Sequence, residues 1–261
     1  MTTTTAHRLS KRIVNTTVIL AATLILSGAA GVWGLTTIRQ VSSPVMAEST
    51  LAALGGLRSI ISEIVWFRAE RLKDEGKYVE LSQLASTLTF LEPHTPEVWS
   101  YAAWNLSYNI SAMMKSPADR WKWVHAGVKL LRDDGLKLNP DEPELYRELA
   151  LLFEIKLGAD IDSHSKYYRE EWREIVKDVA QREAWHELGM DKALMEKIET
   201  RYKINDWGDP QLSAVYWAYK GLDCAKGVDQ RILAGIIHQA RTIYAKRKDA
   251  EHSKQNLGID R

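Results

Sequence analysis

The chain has 261 residues, with 35 Lys and Arg against 34 Asp and Glu, and its near-neutral balance implies no basic face for a nucleic acid. A single cysteine, Cys224, excludes an internal disulfide, a paired-cysteine zinc site and a covalently attached c-type haem. Ten Trp and ten Tyr against three Phe favour large amphipathic rings, which suit contacts between stacked helices and binding surfaces alike.

Residues 1–12 carry His7, Arg8, Lys11 and Arg12 and no acid. Residues 13–38, IVNTTVILAATLILSGAAGVWGLTTI, are uncharged and mostly apolar, and Arg39 closes the run. About 20 apolar residues cross a bilayer as a helix, so a single transmembrane helix is expected here. The basic segment before it predicts a cytoplasmic N-terminus, with everything after Arg39 periplasmic or otherwise extracytoplasmic. A cleaved signal peptide is the alternative, with Ser27, Gly28, Ala29 and Ala30 as small residues at a cleavage site. The apolar run continues past them through Val32, Trp33 and Leu35, which favours a retained anchor. Both readings export the same domain.

Residues 39–247 read as one all-α domain, followed by a polar tail over 248–261. Strand signals are nearly absent, and three- and four-residue apolar steps recur throughout. The spacing predicts a helix over 47–75, ended by Gly76, and another over Tyr78–Leu91, stopped before Pro93. A third starts near Pro96 and passes Trp99, Ala103, Leu106 and Ile110. Ser116 and Pro117 interrupt the pattern, and a fourth helix runs from about Asp119 to Leu138. The fifth opens at Pro143 and ends at Gly158. Later helices are expected at 164–185, 190–202, 210–225 and 228–247.

An internal repeat cuts across these elements. Leu91-Glu92-Pro93 is followed six residues later by Trp99, and Leu138-Asn139-Pro140 six residues later by Tyr146. Each proline stops a helix, and each aromatic restarts one. Trp99, Ala102, Ala103 and Leu106 share their order with Tyr146, Leu149, Ala150 and Phe153. Gly76 and Tyr78, followed by Leu81, Ala85, Leu88 and Pro93, resemble a turn and a second helix. Over roughly residues 60–155 the chain resembles the tetratricopeptide repeat family, whose unit is an antiparallel helix pair. That resemblance implies a short α-solenoid of helical hairpins, with a concave groove that receives partner proteins. The chain departs from the family in several places. The prolines are 47 residues apart, where the family repeats every 34 or so. Arg132, Lys220 and Cys224 stand at positions the family fills with large apolar residues.

No constellation for chemistry emerges. Asp160, Asp162 and His164 alternate, but Ser165 and Lys166 follow where a calcium loop needs further ligands and a glycine. His186 and Glu187 lack the second histidine of a zinc protease, since position 190 is Met. His94, His125 and His238 are singletons. There is no nucleophile elbow, phosphate loop or dinucleotide fingerprint. No catalytic residue, metal ligand or cofactor is therefore assigned. The aromatic cluster WSYAAWNLSYNISAMM is the candidate binding surface. Tyr101, Trp104 and Tyr108, with Ser100 and Ser107, fall on the side that the family turns to its groove. Burial of this face by the N-terminal helices of the same domain is the competing reading. The expectation is a non-enzymatic membrane-anchored scaffold or assembly factor at the cell envelope, binding protein partners through that face. A structural subunit of a larger envelope machine (secretion, pilus or polysaccharide export) is the second reading, and an enzyme acting on an envelope glycan or peptide is the third.

Overall fold

A computed structural model describes residues 57–256. The expected span over 13–38 and the beginning of the first predicted helix lie outside the described residues. Among the described residues every regular element is helical, so the class is all-α. No helix among them is long and apolar enough to cross a membrane.

Helix α1, Leu57–Asp74, ends where Gly76 adopts φ +69°, with its N–H bonded to Lys73 O at 3.0 Å and Lys77 N bonded to Leu72 O at 2.8 Å. Helix α2 is Tyr78–Leu91. Helix α3 opens as Pro96–Trp104, widens into a π-helical turn over Asn105–Ile110 and closes over Ser111–Met113. Helix α4 does the same, with Pro117–Lys129, a π turn over Leu130–Gly135, and Leu136–Leu138. Ser116 caps it, its hydroxyl accepting from Asp119 N at 3.0 Å, so α4 starts at the proline rather than at Asp119. Helix α5 is Pro143–Leu151 followed by a π turn over Leu152–Gly158. Helix α6, Ser165–Gln181, stops short of the expected residue 185, where Glu183 takes φ +54°. A 3-10 turn over Trp185–Leu188 then leads to α7, Lys192–Tyr202, α8, Pro210–Gly221, and α9, Gly227–Asn256.

The repeat seen in sequence recurs as geometry. Helices α3 and α5 start at prolines 47 residues apart, and each turns π-helical directly after its ninth residue. Trp99 Nε1 donates to Pro93 O at 2.9 Å, and Tyr146 OH donates to Pro140 O at 2.9 Å. Different side chains thus make one bond at one position, closing the turn between successive helices. Asn139 Nδ2 also donates to Pro93 O at 2.9 Å and joins the first unit to the second. Packing follows two rows: α3 touches α5 and α5 touches α8, while α4 touches α6. Trp121 of α4 and Tyr168 of α6 meet across the second row with ring centroids 6.1 Å apart.

Helix α8 forms the centre. Every residue from Pro210 to Tyr219 is buried, as expected of a helix enclosed on all sides. Its neighbours are α5, α6, α7 and α9. Gly221 lets it approach α5, since a Cβ there would lie 2.6 Å from Tyr146 Cβ. Gly127 serves α4 in the same way against α3, where a Cβ would meet Ser107 Oγ and, at 2.9 Å, the Ala103 carbonyl.

Arg132, Lys220 and Cys224 each meet a specific neighbour, although Arg132 Nη1 is buried without a partner. Arg132 is 9% exposed, and Asp133 holds its Nε and Nη2 at 2.6 and 3.0 Å. Lys220 Nζ lies 5.2 Å from the Trp217 ring centroid, and burial lowers its pKa. Cys224 Sγ donates to Gly221 O at 3.3 Å.

The C-terminal stretch differs from expectation. Helix α9 continues to Asn256 instead of ending at 247. Arg247 Nη1 reaches the buried Asp209 carboxylate at 2.7 Å, and Lys248 Nζ reaches Asp206 at 3.0 Å and Glu251 at 3.2 Å. Those ion pairs supply the anchoring that the polar composition conceals.

Ala103 is fully buried. Enlarging it to Leu is expected to overpack the α3–α4 approach and cost on the order of 1–3 kcal/mol. Chemical denaturation of the Ala103→Leu domain measures this, and an unchanged midpoint would contradict the packing described.

Candidate functional site

Trp104 is the last residue of α3 before its π turn. Inserting that wider turn keeps Asn105, Ser107 and Ile110 buried, while Tyr108 falls on the Trp104 side. The two rings stack with centroids 4.3 Å apart at 22°. Trp104 Nε1 donates to Glu148 Oε2 of α5 at 2.9 Å, yet the residue remains 46% exposed. The indole is therefore held at two points and presented to solvent.

The other two predicted residues flank it under partial cover. Tyr101 packs edge-to-face on Trp66 of α1, with centroids 5.1 Å apart. Burial, aided by Glu70 and Asp74, raises its pKa to about 12. Tyr108 lies beneath Lys156, whose Nζ is 4.9 Å from the ring centroid. Burial, followed by the charges of Glu148 and Asp162, raises the Tyr108 pKa strongly. The three side chains thus share one side of α3. Tyr101 and Tyr108 are half-buried, and Trp104 is open.

Sequence reasoning missed Glu144, Arg147 and Glu148 of α5, which complete this face. Ser100 Oγ donates to Glu144 at 3.1 Å. Arg147 reaches Glu148 at 3.1 Å, Asp229 of α9 at 3.5 Å and Glu144 at 4.0 Å. Burial raises the Glu144 pKa, and nearby Glu97 and Glu148 add to it against the Ser100 bond and Arg147. The available signal was the shared register of α3 and α5, which sets Glu144 and Glu148 beside Ser100 and Trp104.

The other candidates are consumed by structure. Lys156 pairs with Asp162 at 2.7 Å, and Arg169 pairs with Asp160 at 2.7 Å. Burial alone would raise the Asp162 pKa, but bonds from Lys156 and the His164 N–H prevail and lower it. Glu187 and Asp178 both pair with Arg182 at 2.7 Å, and His186 is exposed. Among the described residues, no group of three or more His, Cys, Asp or Glu side chains is placed to hold a metal ion. A shallow, open groove of about 410 Å³ lies between α4 and α6, lined in part by His125, Lys129, Asp178 and Glu187. His125 stacks on Trp121 at 5.1 Å, and burial, foremost, lowers its pKa to about 4.

One carboxylate stands apart. Glu154, in the π turn of α5, is 2% exposed and its Oε1 has no partner. Burial raises its pKa to about 7. Gln211 of α8 donates to the Glu154 backbone carbonyl at 2.9 Å, and the Gln211 Oε1 is itself without a partner. Glu154 is thus a buried acid on α5, and its backbone carbonyl joins α5 to α8.

Comparison with known proteins adds no relative: no family model, no curated protein and no solved structure matches this chain. The residues and their geometry carry the functional argument alone.

The Glu154 pKa sets a pH dependence. Its folded value near 7 exceeds the ordinary 4.5, so the fold is favoured below the lower value and loses stability as pH rises through the higher one. Glu154→Gln is expected to melt above the parent at about pH 8, by on the order of 1–3 kcal/mol, and to converge with it near pH 4. Calorimetry at both pH values checks this. Equal melting at the higher pH would refute the buried-acid assignment.

Proposed function

We propose that this chain is a membrane-anchored helical-repeat scaffold or assembly factor, of the tetratricopeptide-repeat type, that holds a protein partner at the cell envelope. The partner docks on the face formed by Tyr101, Trp104 and Tyr108 of α3 together with α5. The single observation that carries this reading is the rigid, solvent-facing indole of Trp104, bonded at Nε1 and stacked on Tyr108. A large ring already fixed in place loses little conformational freedom on binding, which is why such residues anchor interfaces. The uncharged run over 13–38, preceded by a segment with basic residues and no acid, supports the anchor and the extracytoplasmic placement of the domain. The repeated bonds to Pro93 and Pro140 and the stacking of α3 on α5 support the hairpin-solenoid reading.

A second reading has its own observation. Ile64 and Phe67 of α1 are 48% and 73% exposed, and Val79 of α2 is 48% exposed. Apolar surface on the first hairpin suits a subunit packed permanently among neighbours in a larger envelope complex.

Affinity purification of the full chain from its native membrane tests the favoured reading. Trp104→Ala is expected to melt like the parent while losing the co-purified partner, at a cost of 2 kcal/mol or more, roughly thirtyfold in affinity. Normal recovery of that partner would remove the face from the proposal. Protease added to spheroplasts is expected to degrade the domain beyond Arg39, and full protection would reverse the topology.

A further inference from the structure

The docking face extends beyond the three aromatic residues, and its charge specifies what it can receive. From Trp104 an unbroken chain of polar contacts runs through Glu148 and Arg147 to Asp229 in the first turn of α9. Asp229 is flanked there by two exposed apolar side chains, Val228 at 60% and Ile232 at 38%. These two lie four residues apart and share one side of α9. The surface therefore has an aromatic end on α3, an aliphatic end on α9, and charged groups of α5 between them.

Those charged groups are unbalanced. Glu144, Glu148 and Asp229 surround the guanidinium of Arg147, and Glu97 adds its charge beside Glu144. The ammonium that lies over Tyr108, that of Lys156, is buried and paired with Asp162. The Trp104 ring adds an open π face, which attracts cations and repels anions. Packed helices stand 8–10 Å apart, so α3, α5 and α9 together span roughly 20 Å, the length of about 13 helical residues.

We propose that this face receives a basic amphipathic helix of a partner protein, with Lys or Arg side chains over the α5 carboxylates and the Trp104 ring, and apolar side chains against Val228 and Ile232. The inference rests on the docking reading given above and assigns the chemistry of the partner. Apolar contact at both ends supplies affinity, and the carboxylates reject acidic competitors, since like charges brought together at an interface are costly. Glu144 stands to gain most from the arriving cation, because its carboxylate is already crowded by Glu97 and Glu148.

The test uses the full chain in nanodiscs of zwitterionic phosphatidylcholine, so that the lipid does not attract the probes. One probe is a labelled amphipathic peptide of about 15 residues made of Leu and Lys, and the other carries Glu in place of every Lys. Fluorescence anisotropy is expected to show the Lys peptide binding at least about tenfold more tightly, and weakening about tenfold between roughly 50 and 300 mM salt. The double variant Glu97→Gln, Glu144→Gln keeps the size of both side chains and leaves a carbonyl oxygen at 144 to accept from Ser100, while Glu148 stays to hold Trp104 and Arg147. It is expected to lose about tenfold in Lys-peptide affinity at unchanged melting temperature, and Ile232→Ser is expected to weaken both peptides. Equal binding of the two peptides, or wild-type affinity of the double variant, overturns the proposal. If the native partner is lost on Trp104→Ala while the two peptides bind equally, the docking face stands and the cationic partner falls.

Discussion

The carbonyl of Pro93 is the point on which the register of the structure depends. It accepts Trp99 Nε1 from its own unit and Asn139 Nδ2 from the next, both at 2.9 Å. A proline contributes no N–H and fixes its own φ, so the chain must stop a helix there and leave a carbonyl to be satisfied. Two donors on one acceptor bind the start of α3 to the end of α4. Pro140 repeats the arrangement with Tyr146 at the start of α5. With both helix starts pinned in the same way, α3 and α5 lie in register, and Glu148 arrives opposite Trp104. The presentation of the candidate face thus follows from a turn bond some distance along the helix.

Packing then separates what is structural from what is available. Helix α8 is closed in on all sides, and Gly221 brings α5 close to it, as Gly127 brings α4 close to α3. Large rings such as Tyr168, Trp172 and Tyr216 are fully buried. Trp104 is an aromatic residue of the repeat region that the packing leaves open, although its nitrogen is satisfied. Ordering it has been completed during folding, so a partner need not supply that entropy again.

Much of the helix layout was legible because prolines and glycines mark it. Tyr78–Leu91, the start at Pro96, the stop before Asn139-Pro140 and the end at Gly158 coincide with residues whose backbone preferences are strong. The three π turns were hidden, since a single inserted residue shifts the apolar period only slightly. The last nine residues of α9 were missed because the hold on this end of the helix is ionic, through Arg247 and Lys248, and carries no apolar stripe. The candidate face was legible in part. Its aromatic residues stand out in sequence, but the carboxylates of α5 lie 44 residues away, and only the repeat register brings them together. The cover that Trp66 gives Tyr101 could not be read from spacing, because the apolar residues Ile60, Ile64 and Phe67 suggest one buried side of α1 whereas Ser62, Val65, Ala69 and Leu72 form it, with Trp66 at its border.

The most direct measurement is site-specific photocrosslinking in intact cells, with benzoylphenylalanine placed at the exposed Glu97, one helical turn from Tyr101 and two from Trp104 on the same side of α3, and, as the control, at the exposed Lys177 of α6. The account predicts a discrete adduct to another polypeptide from position 97, lost on Trp104→Ala, and none from position 177. No adduct from position 97, or the same diffuse adducts from both positions, would contradict it.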